Sequence, residues 1–256
     1  MTDQRPWYQR TGLYYRLLRS YMYSKYKPTE GHPDDREILE TITQDGFIVI
    51  PDFFTSSQCD QMLSEVESAY ESMKSANHKD YFKHERGHER LGKINLHAKS
   101  TELHFYQNEV IWRIAKAYVS KDVLSYRKEA DLKLEAGANY QANIAHFDDW
   151  RHRFKAFVFL HDVAEENAPM IFYKNSHRND PWKKKYQMEF EMDGVNGRYG
   201  HFFPQEMDSL CHEHSLEPVL LIAKKGSLFL GDFRGIHQGT ILKNGQRILL
   251  NCTFGL

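Results

Sequence analysis

The sequence predicts a mainly β domain, a sandwich or barrel of the jelly-roll kind, with helices flanking its N-terminal half. From about Leu132 to the C-terminus, short runs rich in β-branched and aromatic residues alternate with turn residues. Before that point, several segments instead carry apolar residues at the spacing of an amphipathic helix. A chain of 256 residues with 41% hydrophobic residues can bury a sizeable core in one domain.

Three helices and one strand are predicted in the first half of the chain. The helices span about Asp35 to Thr43, Thr55 to Met73 and Glu109 to Val119, and the second begins with the capping-box pattern T-S-S-Q. A Gly-containing turn leads into Phe47 to Pro51, which has the composition of a short buried strand. We expect the apolar faces of the helices to pack on the β core.

The first 27 residues are unusual because aromatic and basic side chains are interleaved along them. Leu and Tyr residues fall at helical spacing there, which predicts an amphipathic helix within a helical extension over residues 1–44. Such a helix usually packs its apolar face on the main domain, and this is our expectation. The alternatives are contact of residues 1–27 with a membrane surface or nucleic acid, or a role as a partner-binding adaptor.

Composition narrows the classes of function. A net charge of −1 argues against a general nucleic-acid binder, which would carry a basic excess. The three Cys residues are widely spaced and indicate neither a disulfide framework nor a zinc ribbon, which fits a reducing compartment. No apolar run reaches the length of a membrane span and no signal-peptide pattern opens the chain, so we expect a soluble cytoplasmic protein. The sequence does not indicate an oligomeric state.

A His-x-Asp tripeptide occurs three times, starting at positions 32, 78 and 146. On a strand, residues i and i+2 point to the same side, so this tripeptide can present an imidazole and a carboxylate to one metal ion. For a lone tripeptide the ordinary interpretation is a surface His beside a capping Asp. The first lies in a turn and the second in the polar run 72–88, which lacks strand periodicity. Only the third precedes an aromatic strand, residues 154–160, which favours His146 and Asp148 as metal ligands.

The C-terminal part of the chain supplies a third candidate ligand and a candidate anion anchor, His237 and Arg247. Two His and one carboxylate on one face of an octahedron are the ligands of non-heme Fe(II) oxygenases, which keep the opposite face for cosubstrate and dioxygen. An Arg near such a site can pair bidentately with a carboxylate. The alternative for Arg247 is a sheet-edge Arg paired with a surface carboxylate.

The residues between His237 and Arg247 determine whether the two side chains share a face. Lys243-Asn244-Gly245 between two apolar runs predicts a β-hairpin. A two-residue turn would place Arg247 on the face opposite His237. A three-residue loop with a left-handed, bulged Gly245 would place both on one face. An anchor role for Arg247 requires this second arrangement or an equivalent bulge.

Residues 40–256 resemble the phytanoyl-CoA dioxygenase family of Fe(II)/2-oxoglutarate-dependent oxygenases. The likeness rests on the order and spacing of moderately specific motifs: D-G-F-I-V-I-P from Asp45, H-F-D-D-W from His146, D-V-A-E-E-N-A-P-M from Asp162, N-S-H-R from Asn175, and G-D, H and R at Gly231-Asp232, His237 and Arg247. The chain departs from the family's pattern in three places. Ala168 replaces a usual Gly, Tyr173-Lys174-Asn175 replaces a stretch ending in Pro-Gly, and Trp150 sits one position later than the family's Trp.

The resemblance implies a double-stranded β-helix, a cupin-like jelly roll, with N-terminal helices packed on it. It implies that His146, Asp148 and His237 bind Fe(II). It also implies that Arg247 pairs with the distal carboxylate of 2-oxoglutarate, a role suited to a planar guanidinium.

Two further residues enter as cosubstrate contacts through the resemblance. Lys93 lies where some members place a Lys near the cosubstrate, and Gln141 lies where members often carry a polar contact. A solvated Lys and a loop amide are the alternatives. The implied activity is a dioxygenase that uses O2, hydroxylates a small-molecule substrate, and releases succinate and CO2. Asp148 disfavours halogenation, because related halogenases lack this carboxylate, whereas desaturation, epimerisation and ring formation stay open.

Residues 179–218 separate the strand regions and are expected to form a lid or insertion over the site. The basic run Lys183-Lys184-Lys185 is interpreted as a solvated face rather than an anchor for phosphate. Four side chains are candidates for contact with an anionic substrate: His152, Arg153, His201 and Arg234. The alternative to an oxygenase is a non-oxidative metal- or ligand-binding jelly-roll module. In such a module the triad has no catalytic role or binds another divalent metal.

Overall fold

The computed structural model describes residues 31–83, 88–92, 103–137, 143–148, 153–186 and 201–255. Twelve antiparallel strands in two sheets form the framework of this part of the chain, so the predicted mainly β fold with flanking helices is confirmed. The strands are β1 (Phe47–Ile50), β2 (Tyr81–Lys83), β3 (His88–Gly92), β4 (Leu124–Lys133), β5 (Ala145–His146), β6 (Phe154–Phe159), β7 (Met170–Lys174), β8 (His201–Phe202), β9 (Glu217–Leu220), β10 (Leu228–Asp232), β11 (His237–Gly239) and β12 (Arg247–Gly255).

The predicted helices are present with small shifts at their ends. Thr55 and Gln58 form the predicted capping box, in which each side chain accepts a hydrogen bond from the backbone amide of the other residue. The helices are α1 (Arg36–Asp45), α2 (Ser56–Ser75), α3 (Leu103–Tyr106), α4 (Glu109–Tyr118), α5 (residues 181–186) and α6 (Pro204–His214), with a 3-10 turn at Pro33–Asp35 before α1.

Within the described residues, the strands form two antiparallel sheets, as a jelly roll requires. The larger sheet has the order β1-β10-β6-β12-β4-β3-β2, and the smaller has the order β8-β5-β11-β7-β9. Strands distant in sequence are therefore neighbours in each sheet. Residues from distant parts of the chain therefore lie side by side.

The alternation of side chains along the larger sheet separates two cores. Ala156 and Val158 of β6 face outward, where they pack with residues of α1, α2 and α4 such as Ile42 and Met62. The next residue along from each points to the other side, so Phe157 and Phe159 lie between the two sheets with side chains of the smaller sheet. The space between the sheets is thus apolar at this end and is continuous with the cavity described below.

The strands begin earlier in the chain than predicted. β4 starts well before Leu132, and β2 and β3 lie where the polar composition did not indicate strands. The reason is that one face of β4 carries Glu129, Asp131 and Lys133 into the cavity, while only Ala130 and Leu132 face the helices. A strand whose inward face is charged lacks the usual pattern of apolar alternation.

The predicted hairpin between His237 and Arg247 is wrong. β11 pairs with β5 and β7 in the smaller sheet, whereas β12 pairs with β4 and β6 in the larger sheet. Residues 240–246 cross from one sheet to the other, and they pair on the way with the loop around Asn167 rather than with each other. Gly245 does adopt the left-handed conformation that the three-residue loop predicted, with φ of 69°.

The division of the chain into an extension, a main domain and a lid stays a prediction. Residues 1–27 lie outside the described residues, as do residues 187–200 of the proposed lid. The described parts of residues 179–218 form α5, β8 and α6, and β8 pairs with β5 in the smaller sheet. No described helix combines the length and apolar character needed to cross a membrane.

Candidate metal centre

The smaller sheet brings the three predicted metal ligands together. His146 ends β5 and His237 begins β11, and the two residues are direct partners in the antiparallel register. Asp148 follows β5 by two residues, and its backbone amide donates to the carbonyl of Phe233 at 3.1 Å. The loop between β10 and β11 therefore fixes Asp148 beside the strand that carries His237.

The donor atoms of the triad converge on one point. Nε2 of His237 lies 3.6 Å from Oδ1 of Asp148, and Nε2 of His146 lies 3.8 Å from the same oxygen. One donor atom from each residue lies within 4.8 Å of the other two. Two imidazole nitrogens and one carboxylate oxygen at this spacing form a donor set for a divalent transition metal such as iron.

Backbone carbonyls orient both imidazoles for metal binding. Nδ1 of His146 donates to the carbonyl of Ile144 at 2.7 Å, and Nδ1 of His237 donates to the carbonyl of Gly235 at 3.0 Å. The Nε2 lone pair of each ring therefore points at the convergence point, as is usual for metal-binding His. Burial lowers the pKa of His146 and lowers that of His237 to about 3, so both rings are neutral at neutral pH, as a metal ligand must be.

Lys155 on β6 determines which oxygen of Asp148 faces the histidines. Its Nζ lies 2.5 Å from Oδ2 of Asp148 and 4.2 Å from the ring centre of Phe233. Burial opposes the ionisation of Asp148, but the neighbouring groups, Lys155 foremost, together outweigh this effect and hold the pKa of the carboxyl below its ordinary value. Asp148 is therefore a carboxylate with Oδ2 engaged and Oδ1 turned toward the two imidazoles.

The other two His-x-Asp tripeptides are local turns. Nδ1 of His32 accepts from the amide of Asp34 at 3.3 Å, and Nδ1 of His78 accepts from the amide of Asp80 at 3.2 Å. In the described part of the chain, the triad is the only group of three or more His, Cys, Asp or Glu with metal-binding spacing. The structure therefore brings the third tripeptide, and neither of the first two, into a group with metal-binding spacing.

A cavity of about 300 Å³ lies between the two sheets beside the triad. The larger sheet contributes the inward-facing residues of β3, β4, β6 and β12, and the smaller sheet contributes the triad, Met170, His201 and Gly239. The charged and amide side chains on the larger-sheet side of the lining are Arg90, Arg127, Glu129, Asp131, Lys133, Lys155, Arg247 and Asn251.

Arg247 faces this cavity from the sheet opposite His237. Its Nη2 donates to Oδ1 of Asp131 at 2.6 Å, and its Nη1 donates to the carbonyl of Ala168 at 2.6 Å. Its Nε–H is buried and has no hydrogen-bond partner. A buried donor without a partner is costly. Arg247 thus shares a cavity with His237 through the crossing between sheets, not through the bulged hairpin that the sequence predicted.

Further charged groups surround Arg247. Lys133 is its direct neighbour across β4 and β12, and Nζ of Lys133 donates to the carbonyl of Thr240 at 2.8 Å. Burial lowers the pKa of Lys133 to about 7. Burial opposes the ionisation of Asp131, but His88, 2.7 Å away, and Arg247 outweigh it and hold the pKa of Asp131 low. This end of the cavity is therefore cationic apart from one paired carboxylate.

The remaining predicted contacts have mixed outcomes. Lys93, Gln141 and His152 lie outside the described residues. Two of the candidates for an anionic substrate, Arg153 and His201, line the cavity. Arg234 instead pairs with the fully buried carboxylate of Asp232 and does not line the cavity.

The prediction that the Lys run in α5 is a solvated face is wrong for its first member. Lys183 is 2% exposed and donates to the carbonyls of Ser176 and Arg234. Burial lowers the pKa of Lys183 to about 7. Lys184 and Lys185 are exposed, as expected. A helix that packs one face on the β-sheets must bury part of any three-residue run, because consecutive residues point to different sides.

Sequence reasoning missed the charged residues of the larger sheet. Lys155 interrupts an otherwise apolar strand. It lies on the same face of β6 as Phe157 and Phe159, and therefore points inward. The pattern R-K-E-A-D-L-K over residues 127–133 alternates charged residues with a second series that includes two apolar residues. That alternation is the period-2 signal of a strand with one polar face, and it could have predicted β4, although not that its polar face lines a cavity.

The fold and donor set are those of a non-heme iron oxygenase that uses a 2-oxo acid. The family model described as Phytanoyl-CoA dioxygenase (PhyH) matches residues 42–247. The chain belongs to the phytanoyl-CoA dioxygenase family. This confirms the expected family and enzyme class.

Solved structures of low sequence identity share the fold. EctD from S. alaskensis, crystallised with 2-oxoglutarate and 5-hydroxyectoine, is 16% identical with a TM-score of 0.67, over 90% of this chain and 83% of that chain. The 2-oxoglutarate-dependent epimerase SnoN from nogalamycin biosynthesis is 15% identical with a TM-score of 0.58, over 86% and 80%. HygX from Streptomyces hygroscopicus, with nickel, 2-oxoglutarate and hygromycin B bound, is 16% identical with a TM-score of 0.57, over 86% of each chain. A comparison with curated protein sequences gave no match.

Two departures from the family's motifs have a structural counterpart. Ala168, in place of a Gly, has φ of 57°, and Asn175, at the end of the stretch that replaces Pro-Gly, has φ of 67°. Both positions are left-handed, which suits Gly best and Asn next best, while Ala is strained there. The strained Ala168 carbonyl is one of the groups that hold Arg247.

Proposed function

We propose that the protein is an Fe(II)/2-oxoglutarate-dependent dioxygenase that hydroxylates a small-molecule substrate and releases succinate and CO2. The observation that carries this proposal is the convergence of two neutral imidazoles and one carboxylate within 4.8 Å, at the wall of a cavity. Membership of the phytanoyl-CoA dioxygenase family supports the same enzyme class.

The triad fits iron by the chemistry of its donors. His146, Asp148 and His237 would hold Fe(II) through two nitrogens and one oxygen, which leaves the other positions of the ion for ligands from the cavity. Iron and 2-oxoglutarate, when bound, supply the oxidation of the substrate by O2. The chain contributes the orientation of the ligands, through the carbonyls of Ile144 and Gly235 and through Lys155, and it encloses the site between two sheets.

Arg247 would hold the distal carboxylate of 2-oxoglutarate. Its buried Nε–H has no partner, although Nη1 and Nη2 are engaged, so one edge of a planar donor fork remains to be satisfied. A carboxylate from the cavity satisfies that edge with charge-assisted hydrogen bonds. Lys133 on the neighbouring strand adds positive charge at the same end.

The main alternative is a non-oxidative module that binds a metal or a ligand. The unpartnered Nε–H of Arg247 argues against this alternative. A site that only binds a metal does not need an Arg with a free hydrogen-bond donor on the opposite sheet. Hydroxylation is proposed rather than epimerisation because epimerisation needs a further group that returns a hydrogen to the substrate. SnoN, described as an epimerase, has the same fold, so the fold by itself does not select the outcome.

The test is anaerobic titration of the purified protein with Fe(II) and 2-oxoglutarate. The wild type should develop a visible charge-transfer band, and on exposure to O2 it should form succinate slowly even without substrate. Asp148→Ala and His237→Ala should lose the wild-type band, because each removes a ligand. Arg36→Ala, at an exposed position on α1, is the matched control and should keep it. A folded wild type that binds neither metal nor oxo acid would rule out the oxygenase.

A further inference from the structure

The described residues that line the cavity carry more positive than negative charges. They include six Arg and Lys side chains and three Asp and Glu side chains, a formal excess of three positive charges when His is counted as neutral and Lys133, whose pKa lies near 7, as charged. Under the proposed function, Fe(II) and 2-oxoglutarate bring two charges of each sign and leave this excess unchanged. A low-dielectric cavity whose described lining has more cations than anions favours an anion.

Apart from Lys155 and Arg153, which lie beside Asp148, the described cations fall into two groups. Lys133 and Arg127 are both inward-facing on β4, six residues apart, which on an extended strand corresponds to about 20 Å. Lys133 is beside Arg247, at the end assigned above to 2-oxoglutarate. Arg127 therefore marks a second, separate end. The distance between the two ends is too long for one small dicarboxylate to occupy both.

The second end is built by Arg90, Arg127 and Glu129. Nη1 of Arg90 lies 3.9 Å and Nε of Arg127 lies 3.6 Å from the same oxygen of Glu129, so both are ion pairs longer than hydrogen bonds. One carboxylate thus faces two guanidinium groups. The side chains of Arg90 and Arg127 are 24% and 49% exposed, so a ligand can reach them, whereas Glu129 is buried.

Between this second end and the triad the larger sheet presents one cationic and one aromatic side chain. Arg127 on β4 and Lys155 on β6 are both in register with Thr253 of β12, and Lys155 contacts Asp148. Phe157, in register with Asn251, is the next inward-facing residue of β6 and lines the cavity. A ligand that reaches from the arginines toward the metal therefore passes Phe157, whereas Phe159 and Leu249 lie farther along the sheet, toward Arg247.

We propose that the substrate is a small acid whose carboxylate or phosphate is held in the cavity by Arg90 and Arg127, with a hydrocarbon portion that passes Phe157 and is directed to the metal. Arginine suits this role because its planar fork pairs bidentately with either anion. Glu129 sets the spacing of the two guanidinium groups and competes with the ligand for them. The inference rests on the proposed function and adds the substrate class.

The test measures binding to the Ni(II) protein saturated with N-oxalylglycine, so that the cosubstrate end is filled and no turnover occurs. The probes are phenylacetate and glycerol 3-phosphate, with phenylacetamide and glycerol as their neutral counterparts, and calorimetry gives Kd for each. We expect at least one acid to bind and to bind at least about tenfold more tightly than its neutral counterpart, with affinity falling as salt rises. The carboxylate and phosphate arms distinguish the two kinds of anion.

Variants that are expected to change Kd in opposite directions distinguish a loss of anion recognition from damage to the structure. Arg90→Gln and Arg127→Gln should each raise Kd for the bound acid by about tenfold. Glu129→Gln should lower Kd, because it removes the competing carboxylate, whereas a variant that merely loosened the wall would raise it. Arg36→Gln, outside the cavity, should leave Kd unchanged.

The outcomes for the two proposals are distinguishable. Loss of the Fe(II)/2-oxoglutarate band in the folded wild type would reject the oxygenase itself. A wild type that shows the band but binds neither acid, binds acid and neutral probes equally, or binds acids equally well in Arg90→Gln and Arg127→Gln would reject the acidic substrate alone.

Discussion

The side chain of Lys155 shows how a single residue shapes the candidate metal site without binding the metal. It is 13% exposed and pairs with Oδ2 of Asp148, itself 15% exposed. Removing one partner of a buried ion pair leaves an uncompensated charge, which costs far more than breaking an exposed pair. Lys155 is therefore a positioning residue and a stabilising one.

Lys155→Met should lower the free energy of unfolding of the metal-free protein by roughly 3 kcal/mol, because buried Asp148 loses its closest cation and keeps only the longer ion pair with Arg153 at 3.9 Å. Urea unfolding in the presence of a chelator measures this loss. Ni(II) should restore part of it, since the ion takes over the compensation of Asp148. The matched control is Lys224→Met, which breaks an exposed pair with Asp162 and should change stability by less than about 1 kcal/mol. Equal losses in the two variants would contradict the assigned role.

Arg247→Gln should raise Kd for 2-oxoglutarate by about tenfold or more while leaving Kd for Ni(II) alone nearly unchanged. The reason is that Arg247 faces the cavity but is not among the three donors that converge at the triad. Calorimetry with each ligand separately checks both halves of this expectation. Arg247→Lys, which keeps the charge but lacks the planar fork, should give an intermediate value. A parallel loss of metal affinity would mean that the variant had disturbed the whole site.

At the residue scale, the sequence predicted that the three residues of the triad come together, but it could not predict the side chains that contact the triad and Arg247. His146 and Asp148 stood out because an aromatic strand follows them, and spacing along one strand is local information. The contact of Lys155 with Asp148 depends on how β6 lies opposite the segment after β5, which is a property of two packed sheets. The same holds for Asp131, which meets Arg247 only because β4 and β12 are neighbours.

At the scale of elements, the crossing over residues 240–246 is the main difference between expectation and structure. Asn-Gly between apolar runs ordinarily makes a hairpin. Here Lys243 and Asn244 donate to the carbonyl of Glu166, and Leu242 bridges to Asn167, so the loop is held by another part of the chain. Local turn chemistry predicted the left-handed Gly245 correctly, but tertiary pairing decided which strands the turn connects. The three predicted helices, whose signals are local, are present, whereas the described helices α3, α5 and α6 were not predicted.

Gly226 lies in the turn that starts β10, and its substitution tests how tightly this turn is packed. Gly226→Ala should lower stability by roughly 2 to 4 kcal/mol, because φ is +86° and the added Cβ would lie 2.2 Å from the carbonyl oxygen of Phe54. Gly137→Ala is the matched control, since φ is +83° and nothing lies within 4 Å. It should cost only about 1 kcal/mol from backbone strain. Urea midpoints of the two variants give the comparison, and equal effects would argue against the close approach.

At the scale of the whole molecule, His177 connects the sheets to the helical layer. It follows β7, and its Nε2 donates to the carbonyl of Thr43 in the last turn of α1 at 3.0 Å. Burial lowers the pKa of His177 to about 4. The ring is therefore neutral in the folded protein under conditions in which the unfolded chain already takes up a proton.

This difference predicts that the free energy of unfolding decreases as the pH is lowered. Above about pH 6.5 the ring is neutral in both states, and between about pH 6.5 and pH 4 only the unfolded chain binds the proton, so stability falls by up to about 1.4 kcal/mol per pH unit from this group. His177→Gln should reduce the slope by about that amount. Urea unfolding of the metal-free protein at a series of pH values measures it. A variant with the wild-type slope would show that His177 does not contribute.

The architecture as a whole was predictable, because β-rich runs in the second half and amphipathic helices in the first are patterns within short windows. The family's motifs extended this to a jelly roll. The charged wall of the cavity was not predicted. The sequence of β4 does not show whether its polar face points to solvent or to a cavity until its partner strands are known. Arg90 and Arg127 gain significance only when β3 and β4 are seen to face the triad.

The crossing between the sheets makes the proposed cosubstrate a gauge of their separation. Under the proposed function, 2-oxoglutarate would reach from a metal ion held by His237 on the smaller sheet to Arg247 on the larger sheet, although the two residues are close in sequence. The length of oxo acid that the protein accepts is then fixed by the gap between two stacked layers, not by the shape of either. The affinities for oxo dicarboxylates one carbon shorter or longer than 2-oxoglutarate would therefore report on that gap. A substitution that shifts one sheet against the other should first change which chain length binds most tightly.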